Sequence, residues 1–292
     1  MGLRQQVGCK SDIVGPTSAA VPPVGLRARG LAKATFARIG ERTEPSRVFE
    51  AGGLRLRFPR TPTGCQAVLL NTAGGMAGGD RSVIDLTLEP GTEVFATTQA
   101  AEKIYRAEGA ESRIACALSL GAGARLVWAP QETILFHDAR LRRRLSVNLA
   151  PDASILLIES VVFGRLAMGE TEIEARFADD WRIRRAGRLV FAEAFHMDDA
   201  SGALARRAVA DGARAIASFL FMAPNATAPL MALRQALDQE IAEPGERLEA
   251  GVSAVDDSLV GRALSRSPAR LRAAVVAVMM TLTGEGPPRV WR

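Results

Sequence analysis

The sequence predicts a mostly β fold, with many strands in stacked sheets or a β-helical solenoid and two α-helices near the C-terminal end. Three observations predict it. Short runs of alternating apolar and polar residues recur through most of the chain. Turn chemistry separates these runs and leaves no helical crossover between them, which argues against βαβ units. Only two windows, both in the last quarter, place apolar residues at helical spacing.

Residues 1–24 mix Gly, Pro, Ser and Thr and predict a flexible N-terminal arm. No composition break follows, so 25–292 is expected to be a single β domain. Leu54, Leu56 and Phe58 alternate with Arg55 and Arg57. Val83 to Leu88 and Glu93 to Thr98 flank the turn Glu89-Pro90-Gly91-Thr92. Ile114, Cys116, Leu118 and Leu120 alternate with small or polar residues. Further strands are expected at Arg125 to Trp128, Thr133 to Phe136, Leu141 to Leu149 and Ile155 to Val162. Three more are expected at Glu172 to Phe177, Trp181 to Arg185 and Leu189 to Phe195. Gly121-Ala122-Gly123, Ala150-Pro151-Asp152 and Ala178-Asp179-Asp180 read as turns. One helix is expected over Pro229 to Ile241, with Leu230, Leu233, Leu237 and Ile241 on one stripe. A second is expected over Pro268 to Leu282, with Leu271, Val275, Val278, Met279 and Leu282 on another.

Composition narrows the function classes. Hydrophobic residues make up 48%, ample for a core, while aromatics make up 5%. The net charge of +5, from 37 basic and 32 acidic residues, is spread along the chain. The densest basic run, Arg140 to Arg144, alternates with leucine as a strand face does, so no nucleic-acid role is read from it. The three cysteines, Cys9, Cys65 and Cys116, are odd in number and far apart, which argues for a reducing compartment. Cys116 falls on the apolar face of its strand and is expected to be buried and inert. The first ten residues lack a signal-peptide core, and no apolar run is long enough to span a bilayer. A cytoplasmic protein without a membrane partner is expected.

Four segments stand out chemically. Asn71 to Asp80 holds Gly74, Gly75, Gly78 and Gly79 between two strand-like runs. It lacks the lysine and following helix of a phosphate-cradling loop, so it reads as a tight strand connection. Asp80 is then either a turn residue or a carboxylate at the mouth of a cavity. In Thr97 to Arg106, Glu102 and Arg106 stand at i, i+4, the spacing for a pair across one helical turn or in a short solvated turn. Trp128 to Phe136 includes Gln131 and Glu132. Finally, Glu159 and Glu170 bracket Phe163-Gly164-Arg165. Two carboxylates there could serve acid/base chemistry, or pair with Arg165. The two histidines, His137 and His196, have no local partner at metal-ligand spacing. There is no G-x-S-x-G nucleophile motif.

In order and spacing these four segments (NTAGGMAGGD, TTQAAEKIYR, WAPQETILF and ESVVFGRLAMGE) resemble the signature blocks of the urease accessory protein D family, UreD, also called UreH. Asp180 to Arg185 and Pro288 to Trp291 are similar to later family segments. The resemblance implies a largely β fold with two C-terminal helices, and a non-enzymatic maturation chaperone. It implies partners: UreF, the GTPase UreG and the subunits of apo-urease. It implies no permanent cofactor but transient Ni2+, carried toward the urease active site through the interior. Carried over residue by residue, Asp80 and Glu170, with Glu159 on the same block, are the expected lining of the metal path. Glu102, Lys103, Tyr105, Arg106, Gln131, Glu132, Gly164 and Arg165, with the four loop glycines, are expected to line the path or meet a partner. The residues alone leave two alternatives: a carboxylate-based or metal-dependent enzyme built on Asp80, Glu159 and Glu170, and a metal-free β scaffold that binds a partner.

Overall fold

The computed structural model describes residues 27–61, 64–165, 168–170 and 173–291. The expected N-terminal arm, Cys9 and the beginning of the strand expected at Glu172 lie outside the described residues. In chain order the strands are β1 (Arg29–Ile39), β2 (Arg42–Ala51), β3 (Leu54–Arg57), β4 (Cys65–Asn71), β5 (Arg81–Leu88), β6 (Glu93–Thr98), β7 (Glu102–Ile104), β8 (Ser112–Leu120) and β9 (Arg125–Trp128). They continue as β10 (Thr133–Leu135), β11 (Ala139–Leu149), β12 (Ser154–Phe163), β13 (Ala175–Arg185) and β14 (Arg188–Met197). After α1 (Ala200–Ala205) come β15 (Ala215–Met222), α2 (Leu230–Ala242), β16 (Leu248–Val255), β17 (Ser258–Ser265) and α3 (Pro268–Thr283).

Two sheets face each other. One has the order β14-β13-β11-β8-β5-β1-β2 and the other β16-β17-β15-β12-β9-β6-β4-β3, with β10 and β7 continuing from β12. Through the middle, β1, β5, β8, β11 and β13 are parallel, and so are β4, β6, β9 and β12. A parallel pair needs a crossover. Here the crossover is a strand of the opposite sheet, so each coil contributes one strand to each face. The middle is therefore a solenoid. Antiparallel hairpins close it at β1–β2, β13–β14, β3–β4 and β16–β17.

Exact register stacks like on like. Ala34, Leu86, Leu118, Val147 and Ile183 form one inward column of the first sheet. Cys65, Val94, Leu126 and Ile155 form another in the second. All nine are under a tenth exposed. Each large aliphatic so buried contributes roughly 1.5–3 kcal/mol relative to exposure. Cys116 sits between Ile84 and Leu145, and burial pushes its thiol far up, as expected of an inert cysteine. The turns stack as well: Gly91 N donates to Ala122 O at 2.8 Å, and Ala150 N to Leu120 O at 2.9 Å.

Both expected helices are present, within a residue or so of the expected bounds. Ser267 caps α3 by accepting from Arg270 N, Pro268 opens it, and Gly284 closes it in the left-handed region. Leu271, Val275, Val278 and Met279 bury against Leu156, Ile158 and Phe219 of the second sheet. One expected turn is overturned. Ala178-Asp179-Asp180 continues β13 without a break, because Asp179 points inward to a buried arginine that neutralises it.

Candidate functional site

The four distinctive segments meet along one side of the solenoid, where successive coils cross from the second sheet to the first. The glycine loop joins β7 when Met76 N donates to Lys103 O at 2.7 Å and Tyr105 N donates to Met76 O at 2.8 Å. Next, β10 pairs with β7 (Leu135 opposite Ile104) and with β12 (Leu135 opposite Phe163). Gly164 N donates to Leu135 O at 2.8 Å. Strands of three residues are too short to persist alone. These hold because Met76, Ile104, Leu135 and Phe163 share one core, each nearly inaccessible.

On the rim, Tyr105 donates its hydroxyl to Gly74 O at 2.8 Å and packs edge-on against Phe136 at 5.2 Å. The Arg165 guanidinium lies 4.5 Å over the Phe136 ring. The same arginine forks onto Glu170, which also accepts from the Arg165 amide at 2.8 Å. Those hydrogen bonds hold the Glu170 carboxyl below its usual range. Two of the loop glycines, Gly75 and Gly78, are spatially required. A Cβ on Gly75, whose φ is 153°, would lie 2.5 Å from the Tyr105 ring and 2.8 Å from Lys103 O. One on Gly78 would lie 2.7 Å from the Ala107 Cβ and 2.9 Å from its Cα. Gly75→Ala is therefore expected to push β7 off the loop and cost about 1–3 kcal/mol. Urea unfolding checks it, and an unchanged midpoint would mean the loop yields freely.

The carboxylates answer to separate partners. Asp80 is buried and accepts from Ala28 N and Ala77 N, each at 2.8 Å, so both its oxygens fasten the loop to the start of β1. Glu159 accepts from Trp128 Nε1 at 2.7 Å and pairs with Arg143, and it does not pair with Arg165 as the sequence allowed. Arg143 also forks onto Asp179, with Nε to Oδ1 at 3.0 Å and Nη2 to Oδ2 at 2.6 Å. Trp181 Nε1 donates to Asp179 at 3.0 Å. Desolvation pushes the Glu159 carboxyl up, and Arg143 offsets it. Asp80, Glu159 and Glu170 thus do not converge, and no group of three or more His, Cys, Asp or Glu side chains is placed to hold a metal ion among the described residues. A cavity of about 20 Å³, room for about one water, adjoins Arg143, Glu159 and Asp179 and reaches Glu193 and Ser218.

Glu102 differs from the other three. It sits in extended β7, where i and i+4 lie roughly 13 Å apart, so the expected pair with Arg106 does not form. Arg106 turns instead to Asp138 at 3.3 Å. The Glu102 carboxylate accepts from Asn71 Nδ2 at 2.9 Å and has no cation beside it among the described residues. Burial pushes it up to about 7. Lys103 is exposed. Gln131 and Glu132 are occupied by the C-terminal part of the chain. Arg272 of α3 forks onto Glu132, and Gln131 Nε2 donates to Val290 O at 2.9 Å. Trp291 Nε1 donates to Thr97 Oγ1 at 2.8 Å. The sequence assigned no site role to Arg143, Asp179, Asn71 or Arg272. Arg143 left a trace there: it takes the inward phase of Leu141, Leu145, Val147 and Leu149.

The sequence matches known proteins along most of its length. A family model described as UreD urease accessory protein matches residues 28–292. The chain is 45% identical over 277 residues to the urease accessory protein UreD of Rhodopseudomonas palustris strain BisB18, covering 94% of this chain and 98% of that protein. It is 45% identical over 288 residues to UreD 1 of Methylobacterium radiotolerans, covering 95% and 99%. It is 43% identical over 267 residues to UreD 3 of a Bradyrhizobium species, covering 91% and 94%. No helix among the described residues is long and apolar enough to cross a membrane. By match length and identity, the chain belongs to the UreD family of urease accessory proteins.

Proposed function

We propose that this protein is a non-catalytic maturation chaperone of the cytoplasm that, with UreF and the GTPase UreG, passes Ni2+ to apo-urease. The observation that carries this reading is the convergence of the four family blocks on one ladder. At the edge of that ladder Glu102 is a carboxylate without a cationic partner among the described residues. Oxygen donors met singly bind a divalent cation weakly enough to release it. In this reading Glu102 and Glu170 meet the ion at the rim, Glu170 once the half-exposed Arg165 swings aside. The interior carboxylates Glu159 and Asp179 lie beside the small cavity, whose other walls include Val161, Phe163 and Phe177. Asp80 holds the loop in place through two backbone amides.

The test is co-purification of the tagged full-length chain with UreF and UreG from cells carrying the urease genes. Urease activity is assayed in parallel with wild type, Glu170→Gln and Asp80→Ala. Association with both partners, and urease activity at least tenfold lower without this chain, is expected. Loss of activity in Glu170→Gln at unchanged melting temperature is expected too. Asp80→Ala is expected to lower both activity and melting temperature. No association, with urease activated normally in the absence of the chain, would overturn the reading.

A further inference from the structure

The outer face of the first sheet carries a feature that the metal reading does not use. The register places Arg29 beside Arg81, Arg81 beside Arg113, and Arg113 beside Arg142, on the successive parallel strands β1, β5, β8 and β11. All four belong to the outward phase of their strands. Neighbouring strands are about 4.8 Å apart, so four guanidinium groups climb the face in a single file. Like charges directly opposite each other destabilise a sheet, and only the upper half of the file is compensated. Glu111 lies 3.1 Å from both Arg113 and Arg142, and Asp180 is 4.0 Å from Arg142. Arg29 and Arg81 have no carboxylate partner among the described residues.

The next register row on the same face is apolar: Leu31, Val83 and Ala115. Val83 is 40% exposed. A groove of about 400 Å³ runs past Arg113, Ala115, Arg142 and Arg144. The ladder also abuts the candidate site, since Arg81 follows Asp80 directly and Arg113 N donates to Asp80 O at 2.9 Å. A cationic file beside an apolar row calls for a partner with an acidic stripe beside an apolar stripe. Carboxylates at i and i+4 of a helix stand about 5–6 Å apart, close to the arginine repeat, and arginine binds carboxylate bidentately. A nucleic acid would match the charge but not the apolar row.

We propose that Arg29, Arg81, Arg113 and Arg142, with Leu31, Val83 and Ala115, dock an acidic amphipathic helix of a partner protein. This surface is separate from the metal reading and stands or falls without it.

The probe is a fluorescent peptide of about 18 residues, long enough to hold a helix, with glutamates at i and i+4 beside a leucine stripe. A peptide of the same composition in scrambled order is its control. Anisotropy is followed with the full chain at about 50 and 150 mM salt, with duplex DNA and phosphatidylserine vesicles run in parallel. The patterned peptide is expected to bind at least tenfold tighter than the scrambled one and to weaken with salt. Arg81→Glu with Arg113→Glu is expected to lose at least tenfold. Arg184→Glu, three rows farther along the same face, is expected to stay within about twofold. Arg29→Gln with Arg81→Gln, the two without a carboxylate partner among the described residues, is expected to melt no lower than wild type, because it removes uncompensated repulsion. Equal binding of the two peptides, indifference to the double reversal, or tighter binding of DNA or vesicles would each overturn the proposal. So would a lower melting temperature of the neutral double variant, which would assign the arginines to the fold.

Discussion

Replacing Arg143 by alanine is expected to cost about 3–5 kcal/mol of folding stability, because it strands two buried carboxylates at once. The guanidinium is 4% exposed and is the cation facing both Glu159 and Asp179, themselves 4% and 6% exposed. Truncation leaves two carboxylates in the core without a countercharge, and burial then disfavours their ionised forms. The loss should grow with pH. Glu159 already sits above its ordinary value of 4.5 in the folded protein, so the folded state holds that proton more tightly than the unfolded chain. Its contribution is therefore intact below about 4.5 and fades as pH rises through the folded value. Without Arg143 that fall becomes steeper. Urea unfolding from pH 4 to 8 checks it. A variant that also carries Glu159→Gln and Asp179→Asn should recover much of the loss at neutral pH, because no buried charge remains. A loss below about 1 kcal/mol in Arg143→Ala would mean that water reaches the two carboxylates freely.

Glu102→Gln is expected to do the opposite and stabilise the protein. The Glu102 carboxyl is raised from 4.5 to about 7, mainly by burial, with the Asn71 side-chain hydrogen bond and the Lys103 backbone amide opposing. The proton is held more tightly in the folded state, so stability is full below pH 4.5 and falls until pH passes 7. The span corresponds to about 3 kcal/mol at most. Glutamine keeps an oxygen for Asn71 Nδ2 and never ionises. The variant should therefore melt higher than wild type at pH 8 and alike at pH 4, which a pH series of thermal melts reads directly. An identical difference at both ends would remove the titration argument. The same substitution separates fold from function: a more stable protein that no longer supports urease activation would mark Glu102 as a carboxylate retained against the interest of stability.

Much of this could be read from the residues. Period-two alternation located several of the solenoid strands, such as β5, β8 and β11, because a strand with one face on a core and one on solvent must alternate. Helical spacing located α2 and α3 with their proline and glycine ends. Runs such as Ala215 to Met222 stood out less, since a strand buried on both faces does not alternate. The glycine loop was legible as a close approach, and the structure assigns that approach to Gly75, against Tyr105, and Gly78, against Ala107.

The side-chain partners could not be read in the same way. Glu102 and Arg106 looked paired at helical spacing, yet an extended strand carries them apart. Asp179 looked like a turn residue, yet it meets an arginine thirty-six positions earlier. By itself the sequence determined the alternation, the turns and the helix ends, and with them the fold class and the family, because those depend on local spacing. Register was decided by the tertiary structure alone. Stacking parallel coils brings residues one coil apart in sequence to within one strand spacing. Whether Asp80, Glu102, Glu159 and Glu170 face a backbone amide, an asparagine or an arginine depends on that stacking, and no local pattern encodes it.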